Sequence, residues 1–430
     1  MLNLFNPLNF KLNLLNSAAS KHLNTHHFSL ARYILLPIFA PFFEKQVLIV
    51  KILIMKFKAI ILSAVALAVS ASSFGQIKVK TEAGDMNVRF MGRTNFDAGT
   101  YIASSDTNLS EHNGVAMNDT RLGVLANFDE KWSAKIEICY ASKAISFRDL
   151  WIGYKLNDNS TLTAGNHFQP YGAKPLGLSY KFVEDASADL AFCPARKIGV
   201  SYAYTSDPFN FTAGLFSDGN VDNGKNIDKG LSLAAKAIYR PIIDETTVLH
   251  IGVAPMFVKS PNTVSFTGSI PTTVVTNKLI GTPNLNPDNY LRMEAEAIFI
   301  SGKIYVEGHY MAAAVNKFDV VKDSITTTEN TYLDGFYLQG SYMIKGEKQN
   351  YNKKTGLAAN ASPKSLEVLA RVSHVNLDGD NVKAGQQTDF TIGCNYFFNK
   401  NLNVKVNAIY AAVKDGENYS MVQTRLQFSF

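Results

Sequence analysis

A histidine beside a hydroxyl or carboxylate is the usual opening for hydrolytic chemistry, because imidazole takes and returns a proton near neutral pH. Beyond residue 75 the histidines are His112, His167, His250, His309 and His374, and none has a convincing nucleophile or base beside it. Cys139, Cys193 and Cys394 are odd in number and lack metal-ligand spacing, so neither a disulfide framework nor a zinc site is implied. Metal motifs, nucleotide-binding glycine loops and heptads are absent, and no cofactor is expected. A hydrolase is therefore the weaker alternative. A different chemistry is offered by cations that recur at alternate positions: Arg89, Arg93, Arg121, Lys135, Lys197, Lys236, Arg240, Arg292, Arg371, Lys405 and Arg425. A guanidinium presents a planar fork that binds two oxygens of a phosphate or carboxylate and keeps its proton. The same parity also carries Glu137, Asp149, Glu294, Glu296, Glu307, Glu367 and Asp389. Arg292 with Glu294, or Arg371 with Glu367, would serve equally well as pairs that neutralise one another.

Side chains at alternate positions need strands to aim them. Trp132, Ala134, Ile136, Ile138 and Tyr140 alternate with Ser133, Lys135 and Glu137, placing one face in an apolar medium and the other in water. The pattern recurs at Leu122 to Phe128, Ile198 to Tyr204 and Leu402 to Tyr410. Each run approaches the roughly 9–11 residues that a tilted strand needs to cross a bilayer. The alternation predicts sixteen strands, near 85–96, 117–128, 131–140, 146–156, 160–168, 196–205, 209–216, 230–240, 246–258, 288–300, 303–313, 332–344, 365–376, 387–397, 401–411 and 420–430. Such a pattern implies an all-β transmembrane antiparallel barrel with an even strand number. Trp132, Tyr154, Tyr239, Tyr310 and Phe398, near strand ends, are expected to form interfacial girdles.

Connections alternate between short and long. Short turns are expected at 129–131, 157–159, 206–208, 241–245, 301–302 and 398–400. Long segments are expected near 97–116, 169–195, 217–229, 259–287, 314–331, 377–386 and 412–419. Short periplasmic turns and longer outer loops place both termini in the periplasm. The short loop at 141–145 and the long turn at 345–364 break this rule. The Pro-rich loop at 259–287 is long enough to bind a surface partner, which makes a barrel that merely anchors such loops another alternative.

The first 75 residues carry Lys11, Lys21, Arg32, Lys45, Lys51, Lys56 and Lys58 against Glu44 alone, so the formal charge of +6 belongs to them. The chain beyond residue 75 is formally neutral, and no nucleic-acid partner is implied. Met55, Lys56, Phe57 and Lys58 begin a secretory signal, the stretch Ala59 to Val69 is apolar, and Ser73, Phe74 and Gly75 permit cleavage before Gln76. Residues 1–54 read as an extension upstream of the true start, 55–75 as the signal peptide and 76–430 as a single barrel. Export and a β-barrel pattern together imply the outer membrane, with its lipid as surroundings.

The last strand sets Val422, Thr424, Leu426, Phe428 and Phe430 against Gln423, Arg425, Gln427 and Ser429. It looks like the signal read by the barrel-assembly machinery, ending on Phe430. Other segments resemble the phosphate-selective porins O and P: Thr120 to Val124, Arg148 to Tyr154, Ala164 to Gly172, Phe192 to Val200, Gly335 to Tyr337, Gly346 to Tyr351, Leu366 to Ser373 and Gln423 to Phe428. The resemblance implies a homotrimer of sixteen-stranded barrels passing small solutes, with anions such as phosphate favoured and basic side chains along the lumen. A non-selective diffusion porin is the alternative. It also implies an inward-folded loop, for which Gln169 to Ala195 is the natural segment, with Lys174, Lys181, Glu184, Asp185 and Asp189.

Overall fold

The alternation closes into one ring of strands. The computed structural model describes residues 76–430 apart from 82–83, 106–112, 142–143, 174–180, 224–229, 276–277 and 323–324. The signal-peptide and upstream-extension readings, and Lys174, lie outside the described residues.

The strands are β1 (Gln76–Thr81), β2 (Gly84–Ser104), β3 (Asn113–Phe128), β4 (Trp132–Ala141), β5 (Ala144–Asn157), β6 (Ser160–Phe168), β7 (Arg196–Thr205), β8 (Phe209–Ser217), β9 (Leu231–Ile243) and β10 (Thr247–Lys259). The hairpin β11 (Thr267–Ser269) and β12 (Lys278–Gly281) comes next, then β13 (Asn289–Ser301), β14 (Ile304–Lys322) and β15 (Ile325–Lys345). A second small hairpin, β16 (Asn350–Asn352) and β17 (Leu357–Ala359), precedes β18 (Ser365–Asp378), β19 (Lys383–Phe397), β20 (Leu402–Val413) and β21 (Asn418–Ser429). One short α-helix, α1 (Ser187–Phe192), and one 3₁₀ turn (Val221–Asn223) are present among the described residues.

Each long strand pairs antiparallel with its sequence neighbour, and β21 pairs with β2, from Arg93 opposite Ser429 to Ser104 opposite Tyr419. Sixteen strands thus form a closed barrel, which leaves no exposed edge in the ring. The seventeenth strand of the sheet, β1, pairs with β2 alone at its start. The C-terminal residue completes the closure, because Phe430 exchanges backbone hydrogen bonds of 3.0 Å with Gly92 in both directions. The Phe430 ring packs over Gly92, where a Cβ would sit 2.4 Å from it and the ring would have to shift.

One parity of every strand points outward. Leu122, Ile136, Ile152, Leu233, Val253 and Leu338 are among the exposed large apolar side chains, as expected of a lipid-facing band. At the short-turn end Trp132 packs on Tyr154 with ring centres 4.6 Å apart, and Phe209 stacks on Tyr239 at 4.9 Å. At the other end Tyr310 and Tyr332 share a hydrogen bond of 2.9 Å. Rings with polar tips at both rims are what the two membrane interfaces select.

Several expectations need correction. β2 and β3 run into the segment expected to be a loop at 97–116, and β14 and β15 run far into 314–331. Thr326 to Asn330 are polar on both faces, so the two-residue rhythm vanishes there although the backbone remains paired. The segment 260–288 is no freely projecting outer loop: Phe266, Ile270, Val275, Ile280 and Leu285 are buried and pack with lumen-facing residues of the wall. The long turn at 346–364 also folds under the barrel, where Asn210 donates to the carbonyls of Lys353 and Lys354 and Lys353 pairs with Asp207.

Candidate functional site

Three inward segments narrow the lumen. The first, residues 169–195, is held on several sides. Tyr171 donates to the Met293 carbonyl at 2.9 Å, and the Gly172 amide donates to Glu294 at 2.6 Å. Lys181 donates to Glu367 at 2.9 Å and to Gln349 at 2.7 Å, tying this loop to the 346–364 turn. The Val183 amide donates to Asn407, Ser187 meets Ser373, and Arg292 donates to the Phe192 carbonyl at the end of α1. Arg371 donates to the carbonyls of Glu184 and Asp185 while its guanidinium lies 4.2 Å from the Phe182 ring centre.

The second segment fills the space beside the first. Phe266 packs on Phe192 with ring centres 5.5 Å apart, and Thr273 donates to Asp97 at 2.7 Å. Its tip rests on the wall at Gly114, where a Cβ would lie 2.8 Å from the Val274 carbonyl oxygen, so only glycine admits this approach.

Among the described residues, a cavity of about 540 Å³ lies between the first segment and the wall of β2, β3, β5, β6, β7 and β21. Arg121, Arg148, Arg196 and Arg425 line the wall side, with Asn95 and Asp119. Glu184, Asp185 and Val183 line the loop side, Thr273 comes from the second segment, and Asp222 stands at the rim.

Two bulges aim this wall. At β3 the register with β2 shifts between Arg93 and Asn95, and Asp119 adopts a φ of 61°, a conformation aspartate tolerates better than most residues. Its carboxylate accepts from both Arg93 and Arg121. At β5 the register with β4 shifts between Ile136 and Ile138, so the consecutive residues Arg148 and Asp149 both serve the lumen, and strict alternation fails. Arg121 donates to Glu137 at 3.0 Å, Lys135 lies 2.8 Å from Glu137 and also meets Asp149, and Arg196 donates to Asp149 at 2.6 Å. The result is a chain of alternating signs around the wall. Arg196 also stacks on Phe168 at 3.8 Å, and Arg425 grips Asp97 through two bonds of 2.7 Å.

Arg148 is the exception. Its contact is a terminal nitrogen 3.6 Å from the Cys139 sulfur, its Nε is buried without a partner, and it has no carboxylate partner among the described residues.

The other cations expected from the alternation lie elsewhere. Lys236 is buried 2.7 Å from Glu296 and donates to the Gly172 carbonyl. Lys405 is buried beside Arg425 and Asn395 in register. Arg240 is buried on backbone carbonyls of the short-turn end. Lys197 donates to Asp218, just beyond β8. Burial would raise the Asp218 carboxyl, but donors from Lys197, Ser260 and Asn262 outweigh it and hold the group below its ordinary value. Arg89 is exposed at the short-turn mouth. Glu294, Glu296 and His309 offer ligand atoms within 4.8 Å of one another, yet Lys236 already supplies a cation there, and the His309 nitrogens meet Glu294 and Glu307 at 2.7 Å. That arrangement ties the wall to the loop, since Glu294 also accepts from the Gly172 amide and Lys236 donates to the Gly172 carbonyl.

Alternation alone missed Arg148, Arg196, Asp119 and Asp97. The first and third lie at bulges, and Arg196 opens β7, where strand parity does not yet hold.

Comparison with known proteins agrees with this architecture. An uncharacterised protein of Caulobacter vibrioides is 25% identical over 334 residues, covering 71% of this chain and 64% of that protein, so the match spans less than two thirds of the relative. Among solved structures, the fold is similar to outer-membrane OmpT of Vibrio cholerae (TM-score 0.53, 14% identity, covering 82% of this chain and 100% of that one). It is also similar to the anion-selective porin of Comamonas acidovorans (0.51, 12%, 80% and 100%) and to Salmonella typhi OmpF in complex with daunomycin (0.53, 12%, 82% and 100%). Residues 88–430 match the family described as phosphate-selective porin O and P, so this closed sixteen-stranded barrel belongs to that family of outer-membrane porins.

Proposed function

We propose that the barrel is a passive channel for small hydrophilic solutes with a modest preference for anions, set at the constriction between the first inward segment and the arginine wall. The observation that carries this reading is Arg148, a channel-side guanidinium with no carboxylate partner among the described residues. The neighbouring arginines are engaged with Asp119, Glu137, Asp149 or Asp97, so their charge is largely spent on the wall. One uncompensated cation gives a weak, reversible hold on an anion, as conduction requires. It supports a general anion preference better than phosphate specificity. Family membership and the barrel fold support residence in the outer membrane after removal of residues 55–75, a homotrimer, and recognition of the strand ending at Phe430 by the assembly machinery.

The test is a reversal potential in planar bilayers under a potassium chloride gradient. The wild-type channel is expected to favour chloride, and Arg148→Glu to lower the chloride-to-potassium permeability ratio several-fold. A closed wild-type barrel, or a ratio unmoved by Arg148→Glu, would remove the proposal.

A further inference from the structure

The charged groups around the cavity are mostly engaged within the protein. Asp119 accepts from Arg93 and Arg121, and Arg425 grips Asp97. On the loop side Glu184 interacts with Arg425 and Asp185 with Arg371, while Asp222 at the rim accepts from the Phe147 amide at 2.9 Å. Two side chains that line the cavity differ. Arg148 has no carboxylate partner among the described residues, and its Nε is buried without a hydrogen bond. Asn95 is only 2% exposed, and its amide oxygen is buried with no partner among the described residues. Buried polar groups are ordinarily paired, so a guanidinium and an amide left with unmet capacity in one cavity point to a solute that meets both.

The spacing and the surroundings say which solute. The Arg148 carbonyl accepts from Asn166 at 2.6 Å and Asn166 accepts from the Val221 amide at 3.2 Å, which fixes the bulge that turns Arg148 inward. A terminal nitrogen of Arg148 lies 3.6 Å from Cys139 on β4, and two strand spacings of roughly 4.8 Å each lead from β4 to Asn95 on β2. A six-carbon chain with a hydrogen bond at each end spans that gap. The guanidinium takes a carboxylate. Asn95 takes a neutral group, because it is itself uncharged and its neighbours Arg93 and Asp97 are already cancelled by Asp119 and Arg425. An amide offers both an acceptor and donors, which adjacent hydroxyls match. We infer that the preferred organic solutes are small hydroxylated monocarboxylates of the sugar-acid class, with the carboxylate on Arg148 and hydroxyls on Asn95. This rests on the channel reading above and adds to it the class of solute.

Reversal potentials in planar bilayers test it, with potassium chloride on one side and potassium gluconate or potassium hexanoate on the other. Both organic anions have six carbons and one carboxylate, and only gluconate carries hydroxyls. Gluconate, although bulkier, is expected to permeate more readily than hexanoate. Asn95→Ala should lower the gluconate-to-hexanoate ratio about threefold, the scale of one neutral hydrogen bond, and Asn95→Ser, which keeps a hydroxyl, should restore part of it. Arg148→Gln should slow both organic anions alike. A wild-type channel that passes hexanoate as readily as gluconate, or a ratio unmoved by Asn95→Ala, would overturn the inference. Chloride preference that responds to Arg148→Glu alongside either of those results defeats the sugar-acid reading alone, whereas a barrel without conductance defeats the channel reading as well.

Discussion

At the scale of single residues, the lumen is governed by where charge has been cancelled. Asp97 and Arg425 form a two-bond pair with side chains almost without solvent. Removing one partner of such a pair leaves a buried charge uncompensated, at a cost of about 3–5 kcal/mol. Asp97→Asn is therefore expected to lower the urea midpoint of the barrel. Because Arg425 lines the cavity, the same change frees a guanidinium and should raise the chloride-to-potassium ratio, the opposite of Arg148→Glu. Stability and selectivity measured on one variant check both halves. The contrast of Arg148 with Arg425 also marks what alternation reads. Arg425, on a regular strand, was legible as a lumen cation. Arg148 was not, because a bulge turns two successive residues inward.

At the scale of elements, the inward segments decide how much of the bore stays open. Lys259 and Asn289 end neighbouring strands, with Val258 and Tyr290 in register, so the wall itself needs only a short link between them. Replacing residues 262–284 by a short Gly-Ser linker should leave the barrel folded and raise single-channel conductance several-fold; unchanged conductance would show that this segment does not obstruct the path. Its inward course was hidden in the sequence. Prolines and threonines at 261–287 are ordinary loop composition, and the apolar residues Phe266, Ile270, Val275 and Ile280 keep no period. They find partners such as Phe192, Tyr101 and Ile409 that are remote along the chain.

At the scale of the whole molecule, one face of every strand meets lipid and the other the lumen. Val253 lies mid-strand on β10 and is 49% exposed on the outer face. Val253→Lys is expected to destabilise the barrel by about 2–4 kcal/mol if its depth is near the bilayer midplane, read as a lower urea midpoint in lipid vesicles. All sixteen barrel strands, the closing strand and the parity of most lumen charges were legible in the sequence, because a strand between lipid and water must alternate and its period needs no distant partner. The tertiary structure alone decided which cations are cancelled, where the bulges turn the wall, and that the 260–288 and 346–364 segments fold inward. Those outcomes depend on which side chains closure of the ring brings face to face, such as Lys181 with Glu367 or Thr273 with Asp97, and no local pattern records pairings between residues so far apart in the chain.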